Sequence, residues 1–178
     1  MRPRIVVPTR PIVVALLLAG ALGRAAEPKI DDKRSRLPAA VVKALDANCP
    51  GGVIAKLDVE SEEGIKVYDV EFKDGREIDL LEDGTVLNLA TLVEMSEVPE
   101  PAAAVIQRAA RGTTIKQLEK SEVRARIEKK DGKGRLAPLP APEYEYEAEL
   151  AKGGEVEVAA DGRIIKGPKS LTRPALAK

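Results

Sequence analysis

The sequence predicts an α+β protein of two tandem repeats, in which each repeat is a short helix packed on an antiparallel β-meander of about four strands. The first observation is an internal similarity, because the segment 143–164 repeats the pattern of the segment 66–86. The second is the order of patterns in each copy, where a helical periodicity precedes alternating apolar and polar residues. A repeat of this kind indicates one structural unit used twice.

Two offsets align the copies. Leu37 corresponds to Val98 at a displacement of 61 positions, whereas Tyr68 corresponds to Tyr146 at a displacement of 78 positions. The second copy therefore contains 17 more residues than the first, and these lie near 122–142. We expect this insertion to lengthen one hairpin of the second copy.

The inserted segment has two parts. Val123, Ala125 and Ile127 alternate with charged residues, so the flanking strands are expected to extend into the insertion. Residues 128–142 combine glycine, proline and charged residues, which predicts an exposed loop.

Each copy opens with a helix signal. Residues 37–48 place apolar side chains on one side, with Pro38 suited to the first turn and a Gly-Gly pair at 51–52 just past the end. Residues 98–112 repeat this arrangement. Helices this short are marginal in isolation, so each needs a sheet to pack on.

The strands are indicated by alternation with a period of two. Residues 144–150 alternate apolar side chains with glutamates, which predicts a strand with one buried face. Asp-Gly pairs at 74–75, 83–84 and 161–162 predict the turns of antiparallel hairpins. In the first copy the predicted strands lie near 54–60, 65–73, 76–81 and 85–90.

The N-terminal residues have the pattern of a secretory signal peptide. A basic start is followed by the apolar run 11–22 and then by small residues, which predicts a signal peptide over 1–25. The apolar run is shorter than the roughly 20 residues that a spanning helix needs, and no cysteine follows to carry a lipid. We therefore expect a periplasmic or secreted protein without a stable membrane anchor after cleavage.

These patterns define the predicted organisation of the chain. A flexible segment, 26–36, precedes the first repeat, 37–97. The second repeat spans 98–166, and a polar tail, 167–178, is expected to be disordered.

The motifs of the first copy resemble those of PepSY-like domains. The helix opens on Leu-Pro-Ala-Ala-Val at 37–41, a Tyr-Asp-Val-Glu-Phe strand lies at 68–72, and Asp-Gly turns follow at 74–75 and 83–84. PepSY-like domains occur in exported bacterial proteins and are similar to the β-lactamase-inhibitor fold. The resemblance spans 37–166, and it implies an exported, non-enzymatic domain of a family associated with binding or inhibiting other proteins, peptidases among them. It supplies no catalytic residues.

Composition disfavours several functions. Lys plus Arg and Asp plus Glu number 29 each, so the overall balance does not favour nucleic-acid binding. The chain contains no histidine, which excludes Ser-His-Asp and Cys-His catalysis and any histidine-ligated metal site. No cofactor and no metal site are predicted, and we expect the protein not to be an enzyme.

Two rare residue types have predicted places. Cys49 is the only cysteine, so it is either buried or paired with another chain, and its position at a helix end favours burial. The core is expected to include the four aromatic residues of the chain, Tyr68, Phe72, Tyr144 and Tyr146.

The candidate functional surface is a stripe of glutamates on the polar face of two neighbouring strands. Arg124 and Arg126 are expected to lie on the preceding strand, where they could neutralise the stripe by cross-strand pairing. If these arginines do not neutralise the stripe, we expect it to bind a protein partner. The predicted partner-binding residues are Glu145, Glu147, Glu149, Glu155 and Glu157.

The sequence thus favours an exported, non-enzymatic protein-binding module, with an exported hydrolase such as a peptidase as a candidate target of inhibition or regulation. One alternative is a cation-binding envelope sensor or scaffold that uses the same acidic residues. A small hydrolase with paired carboxylates is less favoured, because the chain has few aromatic residues to form a sugar-binding cleft.

Overall fold

The computed structural model describes residues 33–167. The predicted signal peptide and nearly all of the predicted tail lie outside these residues. The elements are, in chain order, α1 (Ala39–Asn48), β1 (Ile54–Glu62), β2 (Ile65–Phe72), β3 (Glu77–Leu81), β4 (Val86–Leu92), α2 (Glu100–Ala109), β5 (Ile115–Lys130), β6 (Lys133–Leu150), β7 (Gly154–Ala159) and β8 (Ile164–Lys166).

The described strands form one antiparallel sheet of eight, in which every strand pairs with its neighbours in sequence. The predicted α+β class and the antiparallel meander are therefore confirmed. Strand β4 pairs with β5 from Asn88 opposite Val123 to Leu92 opposite Glu119, so the strands that follow α1 and those that follow α2 are continuous.

Both helices lie on the same face of the sheet, because period-two alternation directs the large apolar side chains there. Val41 and Leu45 of α1 pack on β1 to β4, and Ala102 and Ile106 of α2 pack on β5 to β8. All four side chains are fully buried. Each helix begins after a proline, and a glycine with positive φ follows soon after its C-terminal end.

Two turns of the same form pack against the two helices, one against each. Asp83 and Asp161 each accept a hydrogen bond from the backbone N–H two residues later, at 2.9 Å in both cases. The glycines that follow, Gly84 and Gly162, have φ values of 84° and 86°. A Cβ atom at Gly84 would lie 2.6 Å from the carbonyl oxygen of Ala40, and one at Gly162 would lie 2.8 Å from the carbonyl oxygen of Pro101. Each turn therefore touches the first turn of its helix.

This close approach predicts a difference between two glycines with nearly equal backbone angles. Gly84→Ala should lower the free energy of unfolding by about 1.5 kcal/mol, because the methyl group adds a clash with α1 to the strain of positive φ. Gly64 has φ 85° with no atom near the Cβ position, so Gly64→Ala should cost only the strain of positive φ, about 1 kcal/mol. Urea unfolding measures both. Equal losses would show that α1 is not packed tightly on this turn.

The loop predicted for 128–142 is wrong, because β5 and β6 continue through this segment as a long hairpin. Asp131 and Gly132 form the turn, with φ values of 53° and 76°, as in a type I′ turn. We call residues 125–138 the arm. Three prolines within or next to it, at every second position from 138 to 142, are exposed. Every second residue of a strand directs its backbone N–H group toward the same edge. The three prolines have no N–H group, so the hydrogen-bond donors that they lack are all on one edge of β6. This is the edge that β7 leaves unpaired beyond Glu145.

The arm folds over the sheet face opposite the helices. Its Ala125 packs with the buried side chains of Val67, Leu81 and Leu87, in a small core that also contains Ile65, Ile127 and Leu136. At its tip, the N–H of Gly134 donates to the carbonyl oxygen of Glu63 at 3.0 Å, and Lys129 lies 2.9 Å from the Glu63 carboxylate. The arm therefore covers one part of this face and leaves the remainder open.

Three of the four aromatic residues lie in the core as predicted. Tyr68, Phe72 and Tyr146 are no more than 4% exposed, whereas Tyr144 is 41% exposed. The prediction is wrong for Tyr144 because β7 pairs with β6 only as far as Glu145. The Tyr144 ring is instead contacted by the ammonium group of Lys120, 4.4 Å from the ring centre.

Cys49 is fully buried in the core beneath α1, which confirms its predicted burial. Burial also raises the pKa of its thiol. Of the segment predicted to be flexible, 26–36, the structure describes residues 33–36. Residues 34–36 form a 3-10 turn, and the Arg34 guanidinium bonds to the Asp46 carboxylate and to the Gly52 carbonyl oxygen. These bonds attach the end of this segment to α1 and to the turn that follows it.

Candidate functional site

The sheet face opposite the helices concentrates acidic side chains, and we call it the acidic face. Core residues on β2, β3, β6 and β7 alternate with acids, so the acids share the other face. The strand register then places acids directly opposite one another. The cross-strand pairs are Asp69 with Asp79, Glu71 with Glu77, Glu119 with Glu147, Glu147 with Glu157, and Glu149 with Glu155.

The five predicted glutamates all lie on this face, but in different environments. Glu149 is exposed and 2.7 Å from the Lys116 ammonium, and Glu155 pairs with Lys166. Glu145 is 4% exposed and bonded to Arg126. Glu147 and Glu157 are half-buried, and no basic side chain in residues 33–167 forms an ion pair with either. These two are therefore the carboxylates of the stripe without an ion pair among the described residues, although the charges of Lys166 and Arg126 still act on Glu157.

Only one of the two predicted arginines neutralises the stripe. Arg126 donates to the carboxylates of Glu143 at 2.8 Å and Glu145 at 2.6 Å. The prediction is wrong for Arg124, which bonds to Glu122 and to the side-chain oxygen of Asn48 at the end of α1. The register shifts between Val123 and Ala125, and this bulge changes the side toward which Arg124 extends.

The electrostatics of the stripe follow from burial and from like charges. Burial, the nearby Glu155 and the Glu157 charge together raise the pKa of Glu147 to about 7. Burial and a hydrogen bond with Glu145 raise the pKa of Glu157. In contrast, the hydrogen bond from Lys166 lowers the pKa of Glu155. Ionisation of Glu147 is therefore opposed near neutral pH, whereas the carboxylate of Glu155 beside it is held in its ionised form.

A second group of acids lies on β2 and β3, which the sequence analysis did not single out. We call Asp69, Glu77 and Asp79 the carboxylate triad. One carboxylate oxygen from each lies within 4.8 Å of the others. The signal was present in the sequence, because acids alternate with core residues on both sides of the Asp74-Gly75 turn. The run of glutamates in the second copy is longer and is therefore the more conspicuous pattern.

Burial dominates the electrostatics of the triad as well. Burial and then the Asp69 charge raise the pKa of Glu77 to about 7 and that of Asp79 to about 6. Burial also raises the pKa of Asp69. Among residues 33–167, the Oδ1 atoms of Asp69 and Asn88 are buried without a hydrogen-bond partner. The Asn88 side chain nevertheless hydrogen-bonds to Asp79, which opposes the effect of burial on the Asp79 pKa.

Two shallow depressions lie beside the triad. The first has a volume of about 280 Å³ and the second about 270 Å³. Glu77, Gln117 and Glu119 line both of them, and Phe72 is the single aromatic residue among their linings. The first is otherwise lined by Glu147, Glu149 and Glu155. This arrangement attracts cations, and it lacks the apolar walls that hold a sugar ring or a drug-sized ligand.

No helix within residues 33–167 is long and apolar enough to cross a bilayer. No protein-family model and no curated protein matches the chain.

Solved structures with a similar fold come from Bacteroides species. A candidate periplasmic protein from Bacteroides eggerthii is 12% identical, with a TM-score of 0.49, over 73% of this chain and 86% of that one. A DUF2874 family protein from Bacteroides uniformis is 14% identical, with a TM-score of 0.46, over 77% and 92%. A BLIP-like protein from Bacteroides fragilis is 16% identical, with a TM-score of 0.40, over 83% and 98%. The Bacteroides eggerthii protein is described as periplasmic, and the sequence of this chain predicts a periplasmic or secreted protein.

Proposed function

We propose that this chain is an exported, non-enzymatic binding module whose acidic face binds a basic segment of a partner protein. The observation that carries the proposal is the pair Glu147 and Glu157, which face one another across β6 and β7 without a cationic partner in the described residues. Like charges directly opposite each other destabilise a sheet. A lysine or arginine side chain of a partner would relieve this repulsion and form charge-assisted hydrogen bonds.

The partner's basic side chain has a place to enter. The first depression is lined by Glu147 together with Glu149 and Glu155, and it opens to solvent. A depression of about 280 Å³ has room for a lysine or arginine side chain. Charge complementarity of this kind accelerates association and selects the partner more than it adds raw affinity.

The proposal includes the architecture and the compartment inferred from the sequence. We propose two tandem PepSY-like units, 37–97 and 98–166, after a signal peptide at 1–25 and before a disordered tail at 167–178. Support for two units comes from the order of one helix and four strands, which occurs twice. The matching turns at Gly84 and Gly162 against their helices add to this support.

The absence of enzymatic activity is part of the same proposal. It is supported by the lack of histidine in the whole chain. It is also supported by the open, carboxylate-lined form of the two depressions. The partner that we propose is an exported hydrolase such as a peptidase. Binding would inhibit or regulate this hydrolase.

The experiment is an affinity capture from the exported fraction of the native organism with three baits. The first bait is the chain from Ala26, the second carries Glu147→Lys with Glu157→Lys, and the third carries Glu82→Lys with Glu128→Lys. The third is the matched control, because Glu82 and Glu128 are exposed acids outside the stripe. We expect one protein to be retained by the first and third baits and lost by the second.

The captured protein is then purified and its affinity measured directly. A loss of at least about 30-fold for the Glu147→Lys, Glu157→Lys variant alone would support the proposal, since a lost charge pair costs about 2 kcal/mol or more. Circular dichroism and the unfolding midpoint establish that the variant is folded. Equal binding by both variants would exclude this surface.

A cation-binding sensor or scaffold is the second candidate function. The observation that favours it is the carboxylate triad, in which the Oδ1 atom of Asp69 is buried without a hydrogen-bond partner among the described residues.

A further inference from the structure

The tip of the arm carries the one cross-strand pair of two basic side chains in the register of the described strands. Lys130 and Lys133 lie directly opposite each other, on either side of the Asp131-Gly132 turn. Both side chains are exposed, and neither forms an ion pair within residues 33–167. Like charges at directly opposite positions destabilise a hairpin. The tip therefore has the same unrelieved repulsion as the stripe, with the opposite sign.

The two lysine side chains point away from the sheet that the arm covers. Lys129 and Gly134, one residue away on each strand, face inward and contact Glu63. Successive side chains of a strand point to opposite faces, so Lys130 and Lys133 face outward. The arm lies on the acidic face, so the lysines and the stripe are directed to the same side of the molecule. A surface that approaches the acidic face therefore meets both.

The other charges of the tip are balanced locally. The Lys129 ammonium lies 2.9 Å from the Glu63 carboxylate. Arg135 lies opposite Glu128, and its guanidinium is 4.0 Å from the Asp131 carboxylate. The positive charge that the tip offers to a partner is therefore that of the two outward lysines.

We propose that the arm tip of one copy of this chain binds the acidic stripe of a second copy, with Lys130 and Lys133 against Glu147 and Glu157. Both pairs are directly opposite in an antiparallel register, so the two Cβ atoms of each pair are about 5 Å apart. Two ammonium groups at this spacing match two carboxylates at the same spacing. Each charge then gains an opposite charge and a charge-assisted hydrogen bond. The inference rests on the proposed function, in which the stripe binds basic side chains.

One copy carries both sides of this contact, so two copies make it twice when their acidic faces turn toward each other. The required two-fold axis lies between the faces and crosses the line from tip to stripe at right angles, at its midpoint. It places each tip on the stripe of the other copy, and such a closed arrangement ends at the dimer.

The remaining acids of the two faces repel each other, which limits the affinity. The arms lie between the faces, and a packed layer of strands occupies about 10 Å. This distance is close to the Debye length of about 8–10 Å in ordinary buffers, so the repulsion is partly screened. We expect a dissociation constant of the order of 0.1 mM, as for a small and polar contact. A hydrolase that binds the stripe more tightly would displace the second copy, so the dimer covers the stripe only until that partner is present.

The test is sedimentation equilibrium of the chain from Ala26 at concentrations from about 10 μM to about 1 mM, on both sides of the expected dissociation constant. The buffer is at pH 8, above the pKa of about 7 to which Glu147 is raised. We expect a reversible equilibrium between monomer and dimer in about 50 mM sodium chloride. Association should weaken at least about 10-fold in about 1 M sodium chloride, where the Debye length is only about 3 Å.

Two charge-reversal variants test the contact from its two sides. Lys130→Glu with Lys133→Glu has an acidic tip and an acidic stripe, whereas Glu147→Lys with Glu157→Lys has a basic tip and a basic stripe. Each variant alone should associate at least about 30-fold more weakly than the parent. An equal mixture of the two should form dimers again, because each tip then meets a stripe of the opposite sign.

Lys43→Glu with Arg108→Glu is the matched control. It makes the same change of charge at exposed positions on the two helices, on the other side of the sheet, and it should associate as the parent does. Circular dichroism and the unfolding midpoint establish that each variant is folded. The proposal is overturned by a parent chain that stays monomeric up to about 1 mM at low salt. It is also overturned by a tip variant that associates like the parent, or by a mixture of folded variants that stays monomeric.

This inference and the proposed function fail separately. The Lys130→Glu, Lys133→Glu variant keeps its stripe, so its capture of another protein measures the proposed function without self-association. A monomeric parent chain would leave that capture result intact. A stripe that captures no other protein would leave the sedimentation result and the restored dimers of the mixture intact.

Discussion

Tyr146→Ala is expected to lower the free energy of unfolding by about 3–4 kcal/mol, as is typical when a buried aromatic side chain is removed. Tyr146 is 4% exposed and packs in the core beneath α2 with Ala148, Leu150 and Val158. The chain has only four aromatic residues, so the small aliphatic neighbours cannot fill the cavity by rearranging. Urea unfolding of the parent and the variant measures the difference.

Tyr144→Ala provides a control from the same strand, two residues away. Tyr144 is 41% exposed, so its removal should cost less than about 1 kcal/mol, chiefly the contact of its ring with the Lys120 ammonium. The ratio of the two losses is the informative quantity, because both variants remove the same side chain. Comparable losses would mean that Tyr144 belongs to the core as the sequence alone predicts.

The two tyrosines show where alternation predicts burial and where it does not. A period of two assigns Tyr144 and Tyr146 to one face, and this assignment is correct. Burial depends in addition on the neighbouring strand, and β7 ends opposite Glu145. The length of a neighbour is not encoded in the alternation of β6 itself, so the exposure of Tyr144 could not be predicted.

The arm shows a different kind of failure. Prolines within 128–142 predict a loop when a strand is assumed to have partners on both sides. Here the prolines are accommodated on a free edge, and the Asp131-Gly132 turn joins two strands that extend to it. An Asp-Gly pair between alternating segments is a strong hairpin signal. The proline content favours a loop over this hairpin signal. The prolines and the Asp-Gly turn are nevertheless both compatible with a strand that is paired along only one edge.

The acidic face was predicted in part. Alternation placed Glu145, Glu147 and Glu157 on one side of the sheet without any structure. The triad could be predicted in the same way for β2 and β3, but the convergence of its three carboxylates depends on the register of these strands. The position of Arg124 depends on a bulge, and no residue pattern marks that bulge in advance.

Glu147→Gln is expected to stabilise the protein at alkaline pH and to leave its stability unchanged at acidic pH. The pKa of Glu147 is raised to about 7, whereas a glutamate in the unfolded chain has its ordinary pKa of about 4.3. Between these values the folded chain holds a proton that the unfolded chain has released. The free energy of unfolding therefore falls as pH rises through this window, and the whole penalty is present above about pH 7.

Glutamine keeps the shape of the side chain and removes this penalty. We expect Glu147→Gln to raise the free energy of unfolding by about 2 kcal/mol at pH 8, less than the full pKa shift would give because the side chain is partly in contact with water. The difference should vanish near pH 3, where the parent carboxyl is protonated in both states. Urea unfolding of parent and variant from about pH 3 to pH 8 gives the two curves.

Glu149→Gln separates this effect from a general loss of negative charge. Glu149 is exposed and paired with Lys116, so its replacement should change stability by no more than about 0.5 kcal/mol over the same pH range. If Glu147→Gln followed the parent curve at a constant offset, Glu147 would be ionised in the folded protein at neutral pH. The repulsion between Glu147 and Glu157 would then be balanced within the chain, and a basic partner would gain nothing by relieving it.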